Sequence, residues 1–256
     1  MSERPSSRVS FARLVLEGIA IVISILLAFS IDAWWEGHQE RKEEERLLVA
    51  LLDEFSENKD LLEAARIHHR AVEEATLELL AFAAESTSDV PPDSLDQLIG
   101  VILWFWAPTK FSMGAVNSVV LGGKLHLLRN EGLRREIAGW QAEIELVHHD
   151  ERQDYTTFHE DFISYLRRNA YLPQIGNVAT RRPGTNEILP NLEIPQRPGL
   201  SDHRSILEDL EFQNLLVQRR WVQWDALDAY DDFEQRVDEV IAQLEEELGL
   251  SGQGTP

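Results

Sequence analysis

The stretch Leu47–Ala84, LLVALLDEFSENKDLLEAARIHHRAVEEATLELLAFAA, decides the fold. Two lines of residues run through it at heptad spacing. Leu48, Phe55, Leu62, His69, Thr76 and Ala83 form one; Leu51, Asn58, Ala65, Val72 and Leu79 form the other, three residues on. Apolar side chains that recur every three and four residues share one face of an α-helix. The spacing therefore predicts a helix over about residues 38–85. Asn58 and His69 interrupt the seam. Polar seam residues set register, which favours packing in a bundle over a long two-stranded coiled coil.

Moving towards the N-terminus, a polar neck of strong helix formers, Glu36–Arg46, precedes the seam. Before it lies an apolar segment, Gly18–Ile31, flanked by Glu17 and Asp32 and followed by Trp34 and Trp35. From Leu14 to Trp35 the chain has about 22 residues, roughly 33 Å as a helix, enough to cross a hydrocarbon core of about 30 Å. The tryptophans suit the interfacial aromatic belt. A cleaved signal peptide is one alternative, with Arg4, Arg8 and Arg13 in its basic region and Ala28-Phe29-Ser30 as cleavage site. A buried core helix is another. The helix-forming sequence runs on past Asp32 without a break, which favours an uncleaved anchor continuous with the next helix. Arg4, Arg8 and Arg13 before the span balance Arg41, Lys42 and Arg46 after it. The position of Arg13 tips the reading towards a cytoplasmic N-terminus and a periplasmic bulk domain in the bacterial inner membrane. Ala20, Ser24 and Ala28 follow a small-xxx-small spacing, a stripe suited to self-association or to a partner span.

Beyond the seam, the turn at 85–92 stops the first helix at Pro91 and Pro92. Asp93 or Ser94 is placed to cap the next, with Gln97 completing a capping-box spacing. The apolar run Leu95–Trp106 is too short for a second span and reads as a buried helix. Ser112–Leu121 reads as a short helix closed by Gly122-Gly123. Asn130 is a plausible N-cap for a long helix to about Asn169, with Leu133, Ile137, Trp140, Ile144 and Val147 on its face, then Phe158, Phe162 and Tyr165. Pro173 closes it. A proline-rich loop covers 173–205, and its Arg181-Arg182 pair reads as solubilising. A last helix spans about Ser205–Leu248, carrying Leu227, Tyr230, Val237, Ile241, Leu244 and Leu248 and stopped by Gly249. The expected fold is all-α: a transmembrane helix continuing into an elongated antiparallel bundle of three long and two short helices. The division is a tail at 1–13, an anchor at 14–35, a bundle at 36–249 and a frayed tail at 250–256.

With 45 acidic against 24 basic residues the chain carries a net charge of −21. That excludes nucleic acid as a partner, since phosphate neutralisation needs a basic stripe. It also argues against lying flat on anionic lipid. Cysteine is absent, so there is neither a disulfide framework nor a thiolate zinc site. Glu145 and His148 have the spacing of a carboxylate-bridged metal half-site, but no second Glu-x-x-His accompanies them. They remain weak metal candidates. Asp225, Asp228, Asp231 and Asp232 lack the loop spacing of a calcium site and read as a solvated face. No nucleotide-binding or nucleophile-elbow pattern occurs, so no catalytic residue and no cofactor is assigned.

The anchor with Glu17-Gly18 and Asp32–Glu36, the Leu47–Asn58 stretch, and Gly122–Asn130 followed by Leu133-Arg134 together resemble a family of uncharacterised bacterial single-span membrane proteins with a helical soluble domain. The resemblance implies an anchored helical protein and carries no activity. The expected partners are the lipid bilayer, a second copy through the Ala20/Ser24/Ala28 stripe, and an unidentified protein. The function expected is a non-enzymatic scaffold or partner-binding bundle. The alternatives are an extracytoplasmic ligand sensor with a pocket lined by Trp104, Trp106, Trp140, Trp221 or Trp224, and a helical metal-binding enzyme.

Overall fold

The computed structural model describes residues 11–84, 90–103, 108–176, 194, 195, 197, 200 and 202–250. One helix, α1, runs unbroken over Phe11–Ala84, 74 residues or about 110 Å. The neck does not interrupt it, as the absence of proline there anticipates. Short helices α2 (Pro92–Leu103) and α3 (Gly114–Val120) and a 3-10 turn (Leu125–Leu127) lead to α4 (Glu131–Thr157). A π-helical turn (Phe158–Phe162) joins α4 to α5 (Ile163–Asn169). Then follow α6 (Leu172–Ile175), a 3-10 turn (Arg204–Glu208) and the long α7 (Leu210–Glu247). Among the described residues there is no strand, and the protein is all-α.

The bundle alternates in direction. Glu44 of α1, Arg129 just before α4 and Glu247 of α7 gather at one end, through Glu44 with the Arg129 N–H and Glu247 with the N-cap Asn130. So α1 and α4 run one way and α7 returns. The second descending rod is broken into α2, a loop and α3. It passes down α1 from the Val72–Leu79 level to Lys124, which pairs with Glu43 at 2.8 Å.

Three helices hold a strict alternation of four and three residues on their buried faces. On α1 the positions run from Leu48 through Leu51, Phe55, Asn58, Leu62, Ala65, His69, Val72 and Thr76 to Leu79. On α7 they run from Phe212 through Leu216, Arg219, Gln223, Ala226, Tyr230, Phe233, Val237 and Val240 to Leu244. On α4 the same count gives Leu133, Ile137, Trp140, Ile144, Val147, Glu151, Asp154 and Phe158. Its next step would bury Asp161. The π turn adds one residue to the helical circuit, which leaves Asp161 exposed and buries Phe162, Tyr165 and Leu166.

Some boundaries differ from the sequence reading. Pro92 opens α2 instead of stopping the preceding helix, because a proline in the first turn has no N–H to lose; the Ser94 and Leu95 N–H groups donate to the Pro91 carbonyl. The Ser94–Gln97 capping box is therefore not at the helix start. Pro173 likewise sits in the first turn of α6. Helix α3 starts at Gly114, two residues later than Ser112. The region around Ser205 is a 3-10 turn, and α7 begins after Asp209, whose carboxylate caps the Glu211 N–H at 2.8 Å. Gly123 and Gly249 take φ of +69° and +70°, the left-handed backbone that glycine alone adopts freely. Trp104, Trp106, Arg181, Arg182 and most of the proline-rich loop lie outside the described residues.

Two apolar clusters fill the bundle. The first runs from Leu47 to Ala65, Leu133 to Val147 and Tyr230 to Leu244; the second takes Val72 to Leu79, α2, Phe158 to Leu166 and Leu207 to Leu216. Phe55 is fully buried with its ring 4.5 Å from that of Trp140. Phe55→Ala should destabilise the protein by about 3–5 kcal/mol, measured as a drop in the chemical-denaturation midpoint. A loss under about 1 kcal/mol would mean that α1 and α4 do not meet there.

Candidate functional site

Between the two apolar clusters lies a buried polar layer. It takes His69 from α1, Glu151 and Asp154 from α4, Arg219, Gln223 and Tyr230 from α7, and Thr109 from the break in the second rod. All seven are at most 4% exposed. Each helical member occupies a core position of the four–three count described above, so the same periodicity that builds the core delivers the polar groups to one level.

The hydrogen bonds are continuous. Asp154 pairs with Arg219 and accepts from Gln223 Nε2 at 2.6 Å. Gln223 Oε1 faces His69 Nδ1 at 2.7 Å, and His69 Nε2 lies 3.1 Å from the Tyr230 hydroxyl. The Tyr230 hydroxyl lies 2.8 Å from Glu151 Oε1. Thr109 closes the chain: its N–H and hydroxyl both donate to the Glu151 carboxylate, the hydroxyl at 2.6 Å. The Thr109 carbonyl lies 2.8 Å from His148 Nε2. The Arg219 guanidinium also lies over the Phe158 ring, 4.8 Å from its centroid, where the π turn begins. Burial pushes the His69 imidazole below its ordinary value; the Asp154 carboxylate opposes that and Arg219 reinforces it. Burial beside Glu151 holds the Tyr230 hydroxyl well above its ordinary range.

Below this layer, α1 grips the broken rod. The residue before α3, Met113, supplies no capping side chain. Glu54 of α1 supplies the cap in trans, accepting from the Ala115 and Val116 N–H groups at 2.7 and 3.0 Å. This sets an acidic group at a helix N-terminus, where the dipole favours it. Asn58 pairs with both backbone groups of Ser112, at 2.7 and 2.9 Å.

A second buried pair joins the returning segment to α2. His203 Nδ1 lies 2.6 Å from Asp96 Oδ1, and the Tyr171 N–H donates to His203 Nε2 at 2.9 Å. With Nε2 occupied as acceptor the ring hydrogen sits on Nδ1. This histidine is held as a latch and has no free nitrogen for proton abstraction.

The residues singled out from sequence are spread along the chain. Glu145 is exposed and paired with Arg152 at 2.7 Å, while His148 turns to the Thr109 carbonyl. Among the described residues no three His, Asp or Glu side chains converge on a metal position. Ala20, Ser24 and Ala28 are exposed, and the Ser24 hydroxyl donates to the Ala20 carbonyl of its own helix at 2.8 Å. Trp140 is core, stacked on Phe233 at 5.1 Å. Trp221 and Trp224 are 60% and 66% exposed. Trp221 follows Arg219 by two residues, about 200° around the helix, so these two do not share a pocket with Trp140. With Glu73 and Arg220 they line a surface groove of about 330 Å³. A larger acidic groove, about 410 Å³, lies between α4 and α7 and includes Asp150, Asp225, Asp228 and Asp232. Burial raises the Asp150 carboxyl, with His149 opposing and Asp225 adding.

No family model matches the chain, and neither the curated proteins nor the solved structures contain a match.

Breaking a buried ion pair leaves the surviving charge uncompensated. Asp154→Ala should therefore cost about 3–5 kcal/mol of folding stability. The double replacement Asp154→Leu with Arg219→Met should recover most of that loss. A denaturant double-mutant cycle checks both. Additive losses would show that the two charges do not interact.

Proposed function

We propose that this chain is a single-span membrane protein that presents a rigid helical bundle for binding a partner. The unbroken α1 carries the reading. Its most apolar window, of mean hydropathy 2.1, has no buried residue, while the same helix is buried in the bundle from Glu44 onwards. Leu16, Ile19, Val22, Leu26 and Phe29 are each more than half exposed. A band of that size has to be covered, and lipid covers a helix without leaving backbone groups unsatisfied. Trp34 and Trp35 are exposed at the end of the band, where an interfacial belt belongs. We place the N-terminus in the cytoplasm and the bundle in the periplasm of the inner membrane, with a second copy meeting the Ala20/Ser24/Ala28 stripe.

The exposed Trp221–Trp224 groove favours one further reading, a bundle that senses a ligand. Two indoles on a surface, flanked by Glu73 and Arg220, are unusual unless something packs on them.

Three measurements test these readings. The protein should stay with membranes through alkaline carbonate extraction, and a C-terminal fusion should be active with a periplasmic reporter and silent with a cytoplasmic one. Release by carbonate would end the anchored reading, and the reverse reporter pattern would end the orientation. For the sensor, tryptophan fluorescence of the full chain should change on titration with a metabolite panel, and the change should vanish in Trp221→Ala/Trp224→Ala. A spectrum unmoved by the panel counts against the groove as a ligand site and leaves the scaffold reading standing.

A further inference from the structure

Three contacts at the centre of the polar layer need more hydrogens than its side chains hold in their ordinary states. His69 Nε2 lies 3.1 Å from Tyr230 Oη, Tyr230 Oη lies 2.8 Å from Glu151 Oε1, and Thr109 Oγ1 lies 2.6 Å from the same carboxylate oxygen. Each contact needs one hydrogen. The tyrosine and threonine hydroxyls supply two. A neutral His69 cannot supply the third. The Gln223 amide is oriented by its Nε2, which donates to Asp154, so its Oε1 is what faces His69 Nδ1. The ring hydrogen of a neutral His69 is therefore on Nδ1, and Nε2 presents a lone pair. An ionised Glu151 has no hydrogen to give. One of the three contacts would then set two lone pairs against each other inside the bundle.

Charge gives the same count. Glu151 and Asp154 bring two negative charges to the layer and Arg219 one positive charge. One negative charge is left uncompensated between buried helices, where it is expensive. A single added proton fills the missing hydrogen bond and neutralises the layer at once.

We propose that Glu151, Tyr230 and His69 hold one dissociable proton in common, which makes the middle of the bundle a proton-binding site. The groups that face it are named from every element packed there. His68 of α1 stands edge-on to the His69 ring, 5.5 Å between centroids. From α4, Asp154 is engaged by Arg219 and Gln223, and His148 Nε2 lies 4.0 Å from Glu151 Oε2. From α7 comes Arg219, and from the broken rod the Thr109 N–H. Burial disfavours an imidazolium at His69. With the shared proton in place Tyr230 turns its own hydrogen to His69 Nε2, and all three contacts are satisfied.

The consequence for stability has a definite sign. In the unfolded chain a glutamate loses its proton near pH 4.3 and a histidine near about pH 6.5. Above about pH 6.5 the unfolded pair holds no dissociable proton and the folded site holds one. The native state then binds more protons, so stability falls as pH rises, until the folded site itself empties. One proton changes the folding constant about tenfold per pH unit. Between about pH 4.3 and about pH 6.5 the unfolded histidine is protonated, the counts match, and this contribution is flat.

Glu151→Gln tests the site. A carboxamide whose NH₂ takes the Oε1 position donates to both Tyr230 Oη and Thr109 Oγ1, its oxygen accepts from the Thr109 N–H and Tyr230 donates to His69 Nε2, which satisfies all three contacts with nothing left to titrate. The full chain, in detergent or lipid nanodiscs, is unfolded by denaturant from about pH 6.5 to about pH 9. The wild type should lose stability relative to E151Q by up to about tenfold in the folding constant per pH unit. Infrared difference spectra should show a carboxylic-acid carbonyl band in the wild type that is absent in E151Q and in Tyr230→Phe. Imidazolium ring modes are read in the same spectra, so a proton at either end of the chain is seen and supports the site. Parallel pH profiles of wild type and E151Q, with no carboxylic-acid or imidazolium band lost in the variants, overturn it. If E151Q fails to fold, the comparison of wild type with Y230F decides.

Discussion

Taking a single ionised side chain out of water costs several kcal/mol even after the protein relaxes around it. The middle of this bundle takes in Asp154, Arg219 and Glu151 together. Each is viable only where its partners stand at hydrogen-bond distance, and those partners come from three different rods and a loop. Sliding α7 by one heptad against α4 would set Ala226 or Phe212 opposite Asp154 in place of Arg219 and leave a buried carboxylate alone. The apolar positions on either side would tolerate such a slip far better, because one aliphatic side chain replaces another at modest cost. The polar layer is thus what gives the bundle a single register, and the two apolar clusters give it stability.

The broken second rod depends on the same logic. A continuous descending helix would satisfy its own backbone. The irregular residues 108–113 ahead of α3 leave N–H groups that must find acceptors. Glu54, Asn58 and Glu151 provide them, at three successive levels along the bundle. In return the break brings Thr109 to the Glu151 carboxylate with both a backbone and a side-chain donor. A regular helix could not do this, since its N–H groups are spent internally. The π turn at Phe158–Phe162 is the matching irregularity on α4. It keeps Asp161 in solvent and sets Phe158 under Arg219, so both departures from regular helix serve the level at which the charges are buried.

Much of this was legible in the sequence wherever one face repeats. The α1 seam, with Asn58 and His69 already standing out as polar members, is reproduced position by position, as is the α4 face from Leu133 to Val147. The polar layer is legible in the same periodicity. Continuing the four–three count past Val147 lands on Glu151 and Asp154, and counting along α7 lands on Arg219 and Gln223. Motif spacing alone favours Glu145 and His148 instead. Of these, Glu145 lies on the solvent side of the same helix. What periodicity could not reveal is the pairing of distant groups: Thr109 with Glu151, Glu54 with α3, and Asp96 with His203. The π turn was hidden for a related reason. Phe158, Phe162 and Tyr165 fit a helical face well enough by themselves, and only the unbroken count from Leu133 shows that one residue is extra.

The polar layer and the exposed apolar band lie on one continuous element. Helix α1 contributes His69 to the first and Leu16–Ile31 to the second, with no proline or left-handed residue among its described positions to act as a hinge. A helix without such an interruption transmits rotation and translation along its axis with little loss. A bundle built only to be displayed would not need charges in its core, because apolar residues of similar volume would hold it at least as well. Their presence at the level where α1, α4, α7 and the break converge is what holds all four in one register, and α1 carries that register from the bundle to the apolar band.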